Sequence, residues 1–418
     1  MSTILVLLLL LSIATLASRP AALSGLLDRV STPLLILLGV ACAPTGLAVL
    51  SSSMVHALEP ALAVGVTWLG IVIGLRSAPG AERGGDRADR FPWRAGVVVV
   101  LSTVASVLLA MAAMTVPGLL GLRSDDNAPL LAGAALILGG ALVGSPPIDN
   151  DNRAELAIRA HLIDVGDLVA VACAIAALAI LPPWSPLPPS LAAVVVVGSG
   201  LLVALIQRLL GGTATGDPAT RTIALLGVVA VGAGLLHDAG LPSAVAGLVG
   251  GAALARTELG RVLCLALSPT ERPARIVVVF LVGTMMPLSP TALVVGVLLA
   301  AGQLAVQLVA TSWAVGHRPS GHALATGLSS SSVPLVLAVS YTLAGLPEGE
   351  LLLATAAVAV VVTDVLAAAI ALGSRWQSAA RWQSAARGQR APRSSPSTLP
   401  SAAPSSPSSP LVAPSEPT

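Results

Sequence analysis

No lysine occurs anywhere in the 418 residues, and charged residues of all kinds make up only 10 % of the chain. A soluble domain averages about 25 % charged residues, so the composition argues against an ordinary soluble protein. Because lysine is absent, all 22 basic residues are arginines. The arginines alone therefore report how the chain is oriented across a membrane.

Aromatic residues and cysteines are also scarce. Aromatics amount to 2 %, so no strong belt of tryptophan and tyrosine marks the membrane interfaces. The three cysteines, Cys42, Cys173 and Cys264, lie in apolar runs and predict packed free thiols, without a disulfide framework or metal cluster. No Gly-rich phosphate loop, catalytic triad, Cys/His metal spacing or DNA-binding motif occurs. We therefore expect no enzymatic activity, no cofactor and no nucleic-acid partner.

Long apolar runs dominate the chain instead. Hydrophobic residues make up 55 % of the sequence, and the mean hydropathy is +0.90. Most of the runs approach the roughly 20 residues that a membrane-spanning helix needs. The pattern predicts an all-α polytopic membrane protein with about 13 spans: 2–18, 33–53, 58–75, 96–117, 128–147, 160–182, 189–207, 222–239, 242–255, 275–287, 290–315, 321–345 and 350–373.

The arginines test this count. If successive loops alternate sides, one side of the membrane receives 21 arginines and the other receives only Arg123. The positive-inside rule makes the arginine-rich side the cytoplasm, with the N-terminus outside and the C-terminus inside. We expect a multi-pass protein of the inner or plasma membrane. Residues 1–18 allow a signal peptide as the alternative, with TLAS as its cleavage site.

The chain divides by composition into a transmembrane domain, residues 1–373, and a cytoplasmic segment, residues 374–418. The segment starts with the tandem repeat RWQSAA at 375–380 and 381–386, whose arginines and tryptophans suit anionic lipid headgroups. A Pro/Ser/Ala tail follows, and its last 25 or so residues are expected to be disordered.

One predicted span carries ionisable residues. His161, Asp164 and Asp167 stand three residues apart in the apolar stretch 155–180 and fall within one face of a helix. A charge near the centre of a bilayer costs roughly 2.5–3.5 kcal/mol on the insertion scale, so such residues usually face a protein interior and handle ions or protons. Asp167 is the central candidate.

The order of the spans indicates an internal repeat. If the seventh span is a linker, spans 1–6 pair with spans 8–13 in inverted orientation, as in many secondary transporters. Helix-breaking runs fall in paired spans, at GSPP (144–147) and GLSSSSVP (327–334), and Asp167 pairs with Asp364. The predicted fold is therefore two inverted six-helix repeats with broken helices that cross near the midplane.

Three stretches resemble the monovalent cation:proton antiporter family, which includes bacterial sodium/proton exchangers and potassium-efflux systems. LLGVACAPTGLAVL with ALEPALAVGVTWLGIVIGLR (Leu37–Arg76) resembles its first conserved helix pair. SAVAGLVGGAALARTELGRVL…FLVGTMMPLS (Ser243–Ser289) resembles its small-residue helix and the element that follows. Gly166-Asp167-Leu168 matches the setting of the family's acidic position. The resemblance covers roughly residues 33–372.

The resemblance implies that Asp167 binds either a proton or a cation, with the broken helices crossing beside it. Hard cations favour oxygen ligands, so backbone carbonyls and hydroxyls would complete the site. The candidate auxiliary residues are Ser145, Ser329, Ser330 and Ser331. Family members that move net charge carry Lys or Arg on the span equivalent to 290–315, where this chain has Gln303 and Gln307.

Each of three further ionisable residues has more than one possible role. Asp164 is a second ligand, a proton relay or a hydrated group in the cytoplasmic vestibule. His161 is a pH-sensitive group at the mouth of the site or another hydrated vestibule residue. Asp364 takes part in function, satisfies freed helix ends or meets a nearby arginine.

The function expected from these features is secondary active transport, in which a monovalent cation, sodium or potassium, exchanges for protons. One alternative is a transporter of the same fold for another solute. The other is a non-transporting relic of the family that acts as a membrane scaffold or sensor. Beyond the cation and the proton, we expect membrane lipids and a second copy of the chain, in a homodimer, as partners.

Overall fold

The protein is described by a computed structural model that covers residues 24–76, 93–119, 128–141, 153–182, 184–213, 218–255, 257–287, 289–315 and 333–389. These residues form twelve α-helices: α1 (Ser24–Cys42), α2 (Ser52–Arg76), α3 (Trp93–Leu119), α4 (Ala128–Ala141), α5 (Arg153–Ile180), α6 (Pro189–Thr213), α7 (Pro218–Asp238), α8 (Ser243–Ala255), α9 (Glu258–Met285), α10 (Pro290–Val315), α11 (Val333–Leu343) and α12 (Gly349–Gln389). The chain divides into two compact units after Ser374.

The helices have the composition of membrane spans. Among the described residues, five apolar segments are long enough to cross a bilayer: Ser52–Arg76, Val99–Val116, Pro189–Leu210, Pro290–Val309 and Gly349–Gly373. Shorter apolar helices, such as α4, α8 and α11, pack among them. The all-helical, multi-pass membrane architecture is therefore confirmed. The predicted first span, 2–18, lies outside the described residues.

The packing centres on α8, which is buried along nearly its whole length. Its most extensive partner is α2, and the two helices approach each other at glycines spaced four residues apart on both. A Cβ added to Gly70 would lie 2.6 Å from the carbonyl oxygen of Ala244, and one on Gly251 would overlap the carbonyl oxygen of Ile71. Small residues at this spacing let membrane helices pack backbone against backbone.

Close backbone contact at glycines also occurs at other helix pairs. Gly39 of α1 and Gly283 of α9 face each other so closely that neither position has room for a side chain. Gly200 of α6 meets α8, where an added Cβ would stand 3.1 Å from the backbone nitrogen of Gly250. Because lipid offers no hydrophobic gain for helix association, such close backbone contact supplies much of the packing energy.

Several helix ends differ from the predicted spans. Helix α1 ends at Cys42, and residues 43–51 turn instead of continuing to 53, because Pro44 and Gly46 follow and Ala48 adopts a φ of 51°. Helix α12 continues past the predicted end at 373 to Gln389, through both RWQSAA repeats.

The start of α9 departs furthest from prediction. The polar stretch 258–274 was expected to be a loop before span 275–287, but α9 begins at Glu258. Thr257 caps the helix, and its Oγ1 accepts a hydrogen bond from the Gly260 backbone nitrogen at 3.0 Å. Leu263 and Leu267 stand four residues apart and are buried in a cluster with Trp68. The stretch is therefore an amphipathic extension of the span.

Candidate functional site

The last described turn of α4 packs against the middle of α5. A Cβ added to Gly140 would lie 2.5 Å from the Cys173 Cβ and 3.9 Å from the Ala170 Cα. The described part of α4 ends one residue later, at Ala141. The run GSPP, with Ser145, lies outside the described residues.

Position 167 is helical and lies within α5. Gly166, Ala170, Ala174 and Ala177 are buried, whereas Leu168 is exposed. Position 167 precedes Ala170 by three residues and Ala174 by seven, which are the intervals that share a helical face. His161 and Asp164 are also helical positions of α5. The structure describes the backbone, but not the side chains, of His161, Asp164 and Asp167.

Helix α11 is fixed to the centre of the bundle by two hydrogen bonds. Tyr341 is fully buried, and its hydroxyl donates to the Ala174 carbonyl of α5 at 2.6 Å. The Ser340 Oγ accepts from the Ala244 backbone nitrogen at 2.9 Å, which satisfies a free donor in the first turn of α8. The sequence interpretation missed both residues. Tyr341 is the single tyrosine of the chain and stands in an apolar run, which was the available signal.

The second predicted break precedes α11. Its serines Ser329, Ser330 and Ser331 lie outside the described residues, and the helix begins at Val333. Val333 precedes Tyr341 by eight residues, and Asp167 precedes Ala174 by seven. The Tyr341–Ala174 hydrogen bond therefore joins α11 to α5 eight residues after the first described residue of α11 and seven residues after Asp167.

Helix α10 buries two glutamine side chains. Gln303 and Gln307 are 6 % and 5 % exposed and stand one turn apart. The Gln307 Oε1 and Nε2 find no hydrogen-bond partner among the described residues. An amide without partners in a buried setting costs roughly 1–3 kcal/mol, so burial of Gln307 is unfavourable for stability by itself.

Contacts through α3 connect α10 to α4. Gly302, next to Gln303, packs against Leu109 of α3, and Gly139 of α4 packs on the backbone of Val107, where an added Cβ would lie 2.6 Å from the Val107 Cα. Thr103 and Ser106 are buried on the same helix. The buried polar groups of α3 and α10 and the end of α4 therefore belong to one continuous packing layer.

Helix α12 contributes a buried carboxylate. Asp364 is 4 % exposed, and no other Asp or Glu is as buried among the side chains that the structure describes. It continues a buried stripe with Ala356, Val360 and Ala367, each at most 1 % exposed. Gly296 of α10 lies against the opposite side of α12, at Thr355 and Val358. Asp364 therefore faces the protein interior rather than α10.

The architecture defines the class first: the described residues form a multi-pass helical membrane protein. No family model matches the chain, and a search of curated proteins finds no match. Among 26 matching chains of solved structures is the sodium proton antiporter MjNhaP1 from Methanocaldococcus jannaschii. It is 16 % identical, with 88 % of this chain and 98 % of that chain covered and a TM-score of 0.58.

At this identity the likeness concerns the fold. The chain has the fold of a sodium/proton antiporter, and the predicted resemblance to a cation:proton antiporter is confirmed at that level. The neighbour is a transporter and not an enzyme, in agreement with the sequence analysis.

Proposed function

We propose that the protein is a secondary active transporter that exchanges a monovalent cation, sodium or potassium, for protons through Asp167. The main support is the packing of α4 against the part of α5 that directly follows Asp167. Gly140, next to the last described residue of α4, packs on Ala170 and Cys173, and the predicted helix-breaking run GSPP comes next in the chain. The last four carbonyls of a helix have no partner within it and form the negative end of its dipole, which suits a cation.

The predicted break before α11 would add the opposite pole. If α5 and α11 run in the same direction, as the thirteen-span topology predicts, the Tyr341–Ala174 hydrogen bond supports a register in which Val333 and Asp167 lie at a similar level. The free N–H groups of a helix N-terminus stabilise an ionised carboxylate. This arrangement, with carbonyls from one broken helix and amides from the other, fits two inverted six-helix repeats that cross near the midplane.

One carboxylate suffices for exchange. Ionised Asp167 binds the cation together with backbone carbonyls of the α4 end and hydroxyls from Ser145 and Ser329–Ser331. When Asp167 takes a proton, its charge is lost and the cation leaves. Because both ligands compete for one group, loading of one requires release of the other, and alternating exposure of the site converts this competition into coupled exchange.

The remaining polar groups have supporting roles in this proposal. Asp164, one turn towards the proposed cytoplasmic side, is the entry point for protons, and His161 lines the vestibule beyond it. The Gln307 amide offers a neutral acceptor and donor in the layer of the α4 end, and Asp364 faces the same interior from α12. The solved structure of similar fold is a sodium proton antiporter, which supports this class of substrate.

The test is cation-driven proton flux in proteoliposomes, with a sodium or potassium gradient and a pH-sensitive dye inside. Asp167→Asn removes the titrating group at nearly constant volume and should abolish the flux. The matched control is Asp238→Asn, at the exposed end of α7, which should keep it. Size-exclusion profiles establish that both variants are folded. Undiminished flux in Asp167→Asn would refute the proposed site.

A further inference from the structure

A cleft of about 420 Å³ opens between α6 and α7, away from Asp167. Val203 and Ile206 of α6 and Gly232 and Leu235 of α7 form its walls, and Gly247 of α8 belongs to its floor. The exchange mechanism makes no use of this space.

The lining of the cleft offers a ligand no free hydroxyl group. Its two hydroxyls, on Ser199 and Thr67, each donate at 2.7 Å to a carbonyl four residues earlier in their own helix. Hydroxyls bound back to their own helix present no free donor to a ligand. An apolar cavity does not hold water, so the cleft is either empty or filled by an apolar molecule.

The cleft opens towards the surrounding membrane. Leu202, Val231 and Leu235 border it and are 55 %, 64 % and 67 % exposed. Helix α6 is the least buried of the five described long apolar segments. Large apolar side chains on the outside of a membrane-spanning helix contact lipid chains, so the cleft is continuous with the hydrocarbon of the bilayer.

The length of the cleft matches half of a bilayer. Helices α6 and α7 contact each other, and both contact α8, so α8 closes the base of the cleft. The lining of α6 runs from Val195 to Ile206, which at 1.5 Å per residue is about 17 Å. Half of the ~30 Å hydrocarbon core is about 15 Å. The cleft therefore has the length for one extended hydrocarbon chain within one leaflet.

We propose that the α6–α7 cleft binds one acyl chain of a membrane phospholipid. The chain would fill a void whose lining otherwise forgoes packing contacts, and it would hold α6 against α7. Since α6 is the segment that links the two proposed six-helix repeats, the lipid would become part of their junction. The inference requires insertion into a membrane but does not depend on the exchange activity.

Glycines provide matched variants for a test. Gly227 and Gly232 line the cleft, and an added Cβ meets no atom within 4 Å at Gly227 and only the Val203 Cγ2 at 3.8 Å at Gly232. The pair Gly227→Leu and Gly232→Leu, called the filled pair, therefore places side chains in the cleft from positions where the Cβ has free space. Gly198 and Gly234, on the same two helices, also have open space but do not line it. Gly198→Leu with Gly234→Leu is the control.

The full-length protein is reconstituted in phosphatidylethanolamine and phosphatidylglycerol vesicles with a trace of phosphatidylglycerol that carries a diazirine near the acyl terminus. After illumination, labelled residues are mapped by mass spectrometry. We expect Val203 and Gly232 to be labelled more strongly than exposed Val194 in the wild type and the control pair. In the filled pair, labelling of these cleft residues should fall to the Val194 level.

Equal labelling of cleft and exposed residues in the wild type, or full cleft labelling in the filled pair, would overturn the proposal. If the filled pair converts a dimer to a monomer in native mass spectrometry, the cleft holds a second copy instead of lipid. A graded series of Gly232→Ala, Val and Leu guards against misfolding, since labelling should decline stepwise with side-chain volume while thermal stability is retained.

Discussion

Gln307 combines near-complete burial with an amide that has no partner among the described residues. The free-energy cost of burying this amide would be explained if Gln307 contributes to the transport site. Gln307→Met keeps the volume and removes the amide. We predict unchanged or higher thermal stability, because a buried unsatisfied group is lost, together with exchange slower by about tenfold, or about 1.4 kcal/mol.

Gln207 supplies the control for this prediction. It is 3 % exposed, and its Nε2 also has no partner among the described residues, but it lies on α6, outside the layer of the α4 end. Gln207→Met should leave the exchange rate at the wild-type value. If both variants lose exchange equally, or if Gln307→Met keeps the full rate, Gln307 has no special role in transport.

The sequence identifies Asp167 as a candidate site residue but does not identify the residues that pack near it. Asp167 is recognisable because a carboxylate in an apolar run is costly and rare. Tyr341, Ser340 and the buried face of Asp364 depend on contacts between distant helices, which no local pattern reveals. The predicted ligands Ser145 and Ser329–Ser331 remain predictions, since they lie outside the described residues.

At the scale of helices, the α2–α8 contact is the most sensitive to substitution. We predict that Gly251→Ala lowers stability by about 1–3 kcal/mol, because its Cβ would overlap the Ile71 carbonyl oxygen and force the two backbones apart. Gly198→Ala makes the same change where no atom lies within 4 Å, and it should stabilise slightly through helix propensity. Melting temperatures in detergent would distinguish the two. Equal effects would contradict the close packing.

An ion pair joins α2 to the unexpected part of α9. Arg76 pairs with Glu271, whose side chain is 17 % exposed, and also donates to the Ser268 hydroxyl at 3.3 Å. We predict that Glu271→Gln lowers stability by up to about 1 kcal/mol and that salt weakens the effect. Glu258→Gln, in an exposed pair with Arg261 within one helix, should change the melting temperature little. Identical shifts would show that the Arg76 contact is not structural.

The helices themselves were largely predictable, and their ends were not. Span 290–315 coincides with α10 and span 242–255 nearly with α8, because apolar length alone defines them. Residues 258–274 were misassigned because Arg, Glu and two prolines suggest a loop, while the burial of Leu263 and Leu267 against α2 makes them helical. Tertiary burial overrode the local signal.

For the molecule as a whole, the stoichiometry of the proposed exchange depends on how many buried groups titrate. No arginine or histidine is buried among the side chains that the structure describes, and Gln303 and Gln307 cannot ionise. If Asp167 alone titrates, one proton exchanges for one monovalent cation. We predict that the exchange rate in proteoliposomes does not respond to an imposed membrane potential. A response that disappears in Asp164→Asn would instead make Asp164 a second proton carrier and the cycle electrogenic.

The central claim is that a single group, Asp167, takes either the cation or the proton. It is tested most directly by the concentration of sodium or potassium that gives half-maximal exchange, measured across a pH series in proteoliposomes. Competition at one site predicts that this concentration rises by up to about tenfold per unit fall in pH on the acid side, while Asp167→Asn shows no exchange at any pH. A half-maximal concentration that stays constant as pH changes, or exchange that persists in Asp167→Asn, would contradict the account.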